Sequence, residues 1–322
     1  MTRRCLVVHP GALGDVLLAG PALAHLRGLG FRATLAVTSR LVALVGGSRL
    51  VDEACDLEAL ALHRLFVEPL APGTLATLDG FDALVSWLGA GEPVYRANLA
   101  RLGCPMVIAR AQPSPEAACH VSRHLLETLA PLGPVPSRLP SVTFQATDAA
   151  RASARAWLRD RGIGPGEAVV LQPGAGSAAK VWPGFAALAR RLRESGTPLV
   201  ALAGPADSMV VDALLASGAL AADGLVRDWP LVEIAGLLSL ARATVGNDSG
   251  PTHLAAALGC PTVSVFGPTD PRVWSPVGPC AHALGGPSGQ RGWPDVNRVS
   301  VTLDALLSGL CREAAPEPAG VR

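Results

Sequence analysis

The chain has 322 residues, 49% of them apolar, with 35 Gly, 28 Pro and a formal net charge of +1. That is too long for one ordinary core and enough for two of about 150 residues each. It excludes a disordered chain, which would be apolar-poor and highly charged. With 27 basic against 26 acidic residues no global field recruits nucleic acid or a membrane surface, so an anion site has to be local.

Aromatic residues are scarce (six Trp, six Phe, one Tyr), which disfavours a base-stacking binder of single strands. The seven cysteines, at 5, 55, 104, 119, 260, 280 and 311, lie far apart in an odd, scattered set. They form neither a zinc spacing nor a disulfide framework, and a reducing cytoplasm fits them best. Arg3 and Arg4 precede only residues 5–8 before His9-Pro10-Gly11, far short of a signal-peptide core. The long uncharged run 254–269 is broken by Gly259, Pro261 and Gly267, so no bilayer span is expected and membrane contact is at most peripheral.

In chain order, strands are predicted at 5–8, 34–37, 83–87, 106–109, 168–171, 199–203, 243–245 and 262–266. Helical patterns fall at 15–29, 121–132, 149–161, 184–193, 208–215, 231–240 and 252–258. Alternation of β and α on this scale means parallel sheets covered by helices. Pro131, Pro134, Pro136 and Pro140 punctuate a stretch that reads as a linker. Two doubly wound α/β domains are therefore expected, 1–145 and 146–322, facing a cleft, with 314–322 a frayed tail.

Three loops can carry chemistry. His9-Pro10-Gly11-Ala12-Leu13-Gly14-Asp15 follows the first strand, and its two glycines permit a sharp turn and a close approach to a ligand. Asp15 at the helix start is either a cap for the free N–H groups or a reactive carboxylate. A dinucleotide site is not supported, because Gly11-Ala12-Leu13-Gly14 lacks the GxGxxG spacing and no acidic residue closes the second strand.

The second loop, Gln172-Pro173-Gly174-Ala175-Gly176-Ser177-Ala178-Ala179-Lys180, offers small residues whose backbone N–H groups can cradle an anion. It is not a P-loop, since Ala179 precedes Lys180 and Val181 follows it. Of the 27 basic residues Lys180 is the only lysine, a compact point charge in a protein that otherwise uses arginine. In the third loop, Gly246-Asn247-Asp248-Ser249-Gly250-Pro251-Thr252-His253, Pro251 suits a helix start. The Ser249 and Gly250 amides then form an anion site beside Asp248. His253 is either a packing residue or a ligand contact. The turn Gly267-Pro268-Thr269-Asp270-Pro271-Arg272 follows the next strand and reads as a rigid structural element.

These motifs together resemble glycosyltransferase family 9, the ADP-heptose:lipopolysaccharide heptosyltransferases and their relatives. The matching segments are Leu13-Gly14-Asp15-Val16 with Pro21-Ala22-Leu23, then Pro173-Gly174-Ala175 through Lys180-Val181-Trp182-Pro183. The third comprises Asp248-Ser249-Gly250-Pro251-Thr252-His253-Leu254-Ala255-Ala256 and Phe266-Gly267-Pro268-Thr269-Asp270-Pro271. Ser249 stands where the family usually has Thr, which keeps the hydroxyl.

The resemblance implies a GT-B fold of two Rossmann-like domains, the first binding the acceptor and the second the nucleotide sugar. It implies an inverting, metal-independent transfer of heptose from ADP-heptose to a hydroxyl of a lipopolysaccharide-core-like saccharide or glycolipid. No resident cofactor and no nucleic-acid partner are expected. By the same resemblance Asp15 is the general base and Lys180 the counter-charge of the diphosphate, with Gly176, Ser177, Asp248, Ser249, Gly250 and His253 lining the donor.

The chemistry agrees: a departing diphosphate gains charge that a lysine and a helix N-terminus can neutralise without magnesium. No Asp-x-Asp pair occurs in the chain. Gly14, Arg96, Arg101, Arg110 and Arg123 are candidates to contact an anionic acceptor, the plainer reading of the arginines being a solvated surface. The competing readings are a transferase for another nucleotide sugar or a different acceptor, and a nucleotide-sugar-binding protein without turnover.

Overall fold

A computed structural model describes residues 2–117, 119–142, 144–204, 207–286 and 292–309. The expected tail 314–322 and Cys311 lie outside the described residues. The chain divides into two compact units, 1–145 and 146–322.

In unit 1 the strands are β1 (Arg3–Val8), β2 (Phe31–Val37), β3 (Glu53–Asp56), β4 (Ala83–Ser86) and β5 (Met106–Ile108). They form one sheet in the order β3-β2-β1-β4-β5, with every pairing parallel. The helices are α1 (Leu13–Leu18), α2 (Gly20–Gly28), α3 (Ser39–Gly46), α4 (Pro93–Ala100) and α5 (Val121–Glu127). Cys5 to Val8 and Leu35 to Val37 are fully buried, as a parallel sheet covered on both faces requires.

Unit 2 holds α6 (Asp148–Arg159), β6 (Val169–Gln172), α7 (Phe185–Glu194), β7 (Leu199–Ala203), α8 (Ser208–Ala216) and β8 (Leu225–Arg227). It continues with α9 (Leu231–Leu238), β9 (Ala243–Asn247), α10 (Gly250–Ala257), β10 (Thr262–Val265), α11 (Pro271–Trp274), β11 (Ala281–Leu284) and α12 (Val296–Leu307). Its sheet order is β11-β10-β9-β6-β7-β8, again all parallel. Its core joins Val169, Leu171, Val245, Val263 and Val265 of the sheet to Phe185, Leu188 and Leu192 of α7 and to Val299 and Leu303 of α12.

Both sheets start from an inner strand and wind outward in two directions, so each has a point where the chain reverses its direction of travel. In unit 1 that point lies between β1 and β4, in unit 2 between β6 and β9. Ligands of such sheets bind at the carboxyl ends of the strands at this point. The loops after β1, β6 and β9 are the three singled out by their residues.

Several expectations change. The helix predicted over 15–29 is two helices, α1 and α2, broken at Ala19 with Pro21 in the first turn of α2. Pro21 has no N–H to give to Leu17 and its ring crowds that carbonyl. The pattern over 121–132 ends at Glu127, and only a short 3₁₀ turn, Ala130–Leu132, follows it. Strands β3, β8 and β11, and helices α3, α4, α11 and α12, are additions to the predicted set. The three added strands all lie at sheet edges.

The proline-rich stretch before α6 is fastened to unit 1 rather than free. Gln145 N–H donates to Ser48 O at 2.9 Å, and the Arg123 guanidinium donates to Pro136 O at 2.9 Å and to Ser137 O. No described helix is long and apolar enough to cross a membrane.

Helices α6 and α9 cross at Gly236, where a Cβ would lie 2.2 Å from Ala150 O. Gly236→Ala should therefore cost about 1–3 kcal/mol through overpacking. Gly28→Ala, at a helix end with nothing within 4 Å, should be neutral or slightly stabilising. Urea unfolding midpoints of the two variants check the contrast.

Candidate functional site

The unit 2 site is built around one carboxylate. Asp248 follows β9, and its backbone N–H still donates to Val265 O at 3.1 Å, which fixes it against β10. Its side chain is 10% exposed. A carboxylate that far from water needs donors, and two loops and helix α10 supply them. Lys180 Nζ reaches Oδ2 at 2.9 Å from the loop after β6. Thr269 Oγ1 donates to the same oxygen at 2.9 Å from the loop after β10. His253 Nε2 lies 3.4 Å from Oδ1, from the second turn of α10. Burial pushes the Asp248 carboxyl up, but the hydrogen bonds and charges of His253 and Lys180 outweigh it and hold the group at about 2.

Asn247, fully buried beside it, stitches the loops together. Its Nδ2 donates to Pro173 O at 2.8 Å and Gly174 O at 3.1 Å, while Oδ1 accepts Trp182 N–H at 2.9 Å. The glycine-rich loop is thereby held at both ends, before and after Lys180. Gly174 is required by close approach, since a Cβ there would come within 1.9 Å of the Asp207 carboxyl carbon. Asp207, 9% exposed, is placed by accepting Gly204 N–H at 2.9 Å.

Gly176 and Ser177 lie exposed on the turn that leads into Lys180, whose side chain is 33% exposed. Ser249 precedes α10 in an extended conformation with Oγ 3.1 Å from Thr252 Oγ1, and Gly250 opens the helix. The sequence-expected donor residues Lys180, Asp248, Ser249, Gly250 and His253 thus meet at the start of α10. One ammonium proton goes to Asp248, and an ammonium has three. A cation and an eight-residue helix N-terminus at one point form an arrangement that can take a phosphate group.

In unit 1, Asp15 stands three residues after Ala12 and its Oδ2 accepts Ala12 N–H at 3.0 Å, so it does cap α1. Gly14 lies within the first turn of that helix. Arg96 donates to Ile108 O at 3.1 Å, and Arg123 is used on the proline-rich stretch, with Glu127 at 3.9 Å. Arg101 and Arg110 are exposed. Arg96 and Arg123 thus spend donors on fastening backbone carbonyls, the work a forked guanidinium does well.

Residue-level reading gave no role to Asn247, Asp207 or His9, and it took Thr269 for part of a structural turn. His9 is 1% exposed and its Nδ1 accepts Gly11 N–H at 3.1 Å. A polar residue at the carboxyl end of a buried strand is the signal that marks both His9 and Asn247. Among the described residues no three His, Cys, Asp or Glu side chains come together in a way that could hold a metal ion.

Removing Lys180 leaves Asp248 buried with fewer donors, so its carboxyl rises towards the ordinary value of 3.8. A depressed carboxyl adds stability above its unfolded value and loses it as pH falls through its folded one. Lys180→Met should therefore be less stable than the parent by on the order of 2 kcal/mol at pH 7. The gap should close as pH falls from about 4 towards 2. Urea titrations across that range measure it.

The profile of glycosyltransferase family 9 (heptosyltransferase) matches residues 114–300, more than half of the chain. Lipopolysaccharide heptosyltransferase 3 of Escherichia coli is 32% identical over 156 residues, covering 47% of this chain and 45% of that protein. The chain thus matches under half the length of that relative. Among solved structures, a glycosyl transferase family 9 protein from Veillonella parvula superposes with a TM-score of 0.76 at 18% identity, over 95% of this chain and 97% of that one. The Escherichia coli ADP-heptose lipopolysaccharide heptosyltransferase II gives a TM-score of 0.69 at 20% identity, over 95% and 99%. Both share the architecture of two parallel-sheet α/β domains, the GT-B fold. On the sequence match, the chain belongs to glycosyltransferase family 9.

Proposed function

We propose that this chain is an inverting, metal-independent glycosyltransferase that moves heptose from ADP-heptose to a hydroxyl of a lipopolysaccharide-core-like saccharide. The observation that carries the reading is the Asp248 carboxylate, which holds the chain's only lysine beside the start of α10. A nucleoside diphosphate leaving group needs that combination, because it gains negative charge as its bond to the sugar breaks. The printed name of the Escherichia coli structural relative, an ADP-heptose transferase, supports ADP-heptose as the donor.

In this reading unit 2 takes the donor. Lys180 and the Ser249 and Gly250 amides meet the diphosphate, with Gly176 and Ser177 on the loop beside it. Asp248 and His253 keep the lysine in place. Unit 1 takes the acceptor, and Asp15 removes the proton from the attacking hydroxyl as the new glycosidic bond forms and the bond to the β-phosphate oxygen breaks. The free energy of that proton transfer is a normal demand on a positioned carboxylate, which contributes about 10²–10⁴-fold. Gly14 and the exposed Arg101 and Arg110 are the groups of unit 1 offered to an anionic acceptor; their neighbourhood makes acceptor binding sensitive to salt.

Calorimetric titration with ADP, paired with turnover of ADP-heptose and a core oligosaccharide, tests this. Asp15→Ala should lose turnover by about 10²-fold or more and keep ADP affinity within about twofold. Lys180→Met should weaken ADP by about tenfold, the scale of a charge-assisted hydrogen bond. Turnover should persist in EDTA. A parent that binds UDP or GDP instead of ADP would overturn the donor, and one that binds no nucleotide would overturn the reading.

A further inference from the structure

Unit 1 buries an imidazole in the same turn that carries Asp15. His9 follows β1 directly, its backbone N–H donating to Ala36 O at 3.0 Å as an extension of the β1–β2 ladder. Pro10 follows, and a residue before proline is kept extended. The side chain then turns back on the chain: Nδ1 accepts Gly11 N–H at 3.1 Å. An imidazole nitrogen accepts only while it carries no proton, so the proton of the neutral ring is on Nε2.

The ring has little freedom. It meets Trp87 edge to face, centroids 5.4 Å apart at 70°. Trp87 is itself 3% exposed, and its Nε1 donates to Thr128 Oγ1 at 3.1 Å. Nε2 is buried without a hydrogen-bond partner. Burial pushes the imidazole down to about 4, so near neutral pH the ring is uncharged and Nδ1 remains an acceptor.

Gly11 explains why this matters to Asp15. A Cβ there would lie 2.6 Å from Asp15 Cβ and 2.7 Å from His9 Cε1, so the imidazole and the carboxylate side chain flank one α-carbon. The next amide, Ala12 N–H, is taken by Asp15 Oδ2. Two successive amides are therefore held by two side chains, one from each end of the turn.

We infer that His9 is a positioning residue for Asp15: its Nδ1 lone pair closes the Gly11 turn from inside and so fixes the place of the carboxylate. The inference rests on Asp15 being the base proposed above. It predicts which replacements work. Asparagine offers an acceptor to the N–H two residues on, the geometry of an Asx turn, and should substitute. Leucine keeps apolar bulk against Trp87 and offers no acceptor, so it should not. Misplacement of a reacting group by a fraction of its bond reach is enough to cost an order of magnitude or more.

The test uses the full chain with ADP-heptose and a core oligosaccharide. His9→Leu should lose about tenfold or more in kcat with KM for ADP-heptose unchanged, and His9→Asn should stay within about threefold of the parent. Hydrogen exchange over residues 9–15 should be slow in the parent and in His9→Asn and fast in His9→Leu. Nitrogen NMR of the histidine-labelled parent at pH 7 should show Nδ1 unprotonated, which needs no variant to fold. Leucine turning over like the parent, asparagine failing as badly as leucine, or a proton on Nδ1 would each overturn the inference. Turnover retained by Asp15→Ala would instead remove the base, and a parent inactive on ADP-heptose would remove the function. In either case the exchange and NMR readings still decide whether His9 holds the turn.

Discussion

Asp248 is a carboxylate held in a place where a carboxylate is expensive. Water reaches a tenth of it, and burial on its own pushes its carboxyl upward, towards the neutral form. The donors that keep it charged come from two loops and a helix, so ionisation of this one group and the relative placement of those elements are the same problem. Without the lysine the charge is under-satisfied; without the charge the lysine has no fixed position. Asn247, its neighbour in sequence, does the neutral half of the work by tying the glycine-rich loop to the end of β9. The arrangement at the start of α10 is an outcome of satisfying two adjacent polar side chains at the end of a buried strand.

Unit 1 solves the matching problem with fewer charges. Its loop after β1 is held by an uncharged ring at one end and a helix cap at the other. The difference suits the proposed roles. A site that receives a departing diphosphate needs preorganised positive charge. A base that must accept a proton is better served by neutral hydrogen bonds than by a cation, which would lower its basicity.

The parts of the fold that were readable in the sequence are those buried on both faces. The apolar runs that became β1, β2, β4, β6, β7, β9 and β10 announce themselves because a parallel sheet under helices leaves no polar side. Of the four edge strands only β5 was predicted; β3, β8 and β11 were not. Glu53-Ala54-Cys55-Asp56 of β3 and the three residues of β8 carry charge or are too short to show a period. The kink at Pro21 and the docking of the proline-rich stretch onto unit 1 depend on local clashes and on contacts such as Arg123 with Pro136.

At the site, Lys180 stood out by rarity, and the resemblance to family 9 rested on three motifs, of which the family profile's match includes the central and third. His9 and Asn247 escaped because their importance is a matter of partners. Asn247 bonds to residues more than sixty positions away, and His9 to a backbone amide whose orientation no composition rule supplies.

The solitary lysine has a practical corollary. A chain with one lysine and twenty-six arginines offers amine chemistry a single side-chain address, and that address is one-third exposed on the glycine-rich loop. Proteases that cut only after lysine, and reagents that seek primary amines once the α-amino group is accounted for, therefore act as reporters of this loop. A ligand that engages Lys180 would shield it from them, so protection of this one covalent position would read out its binding.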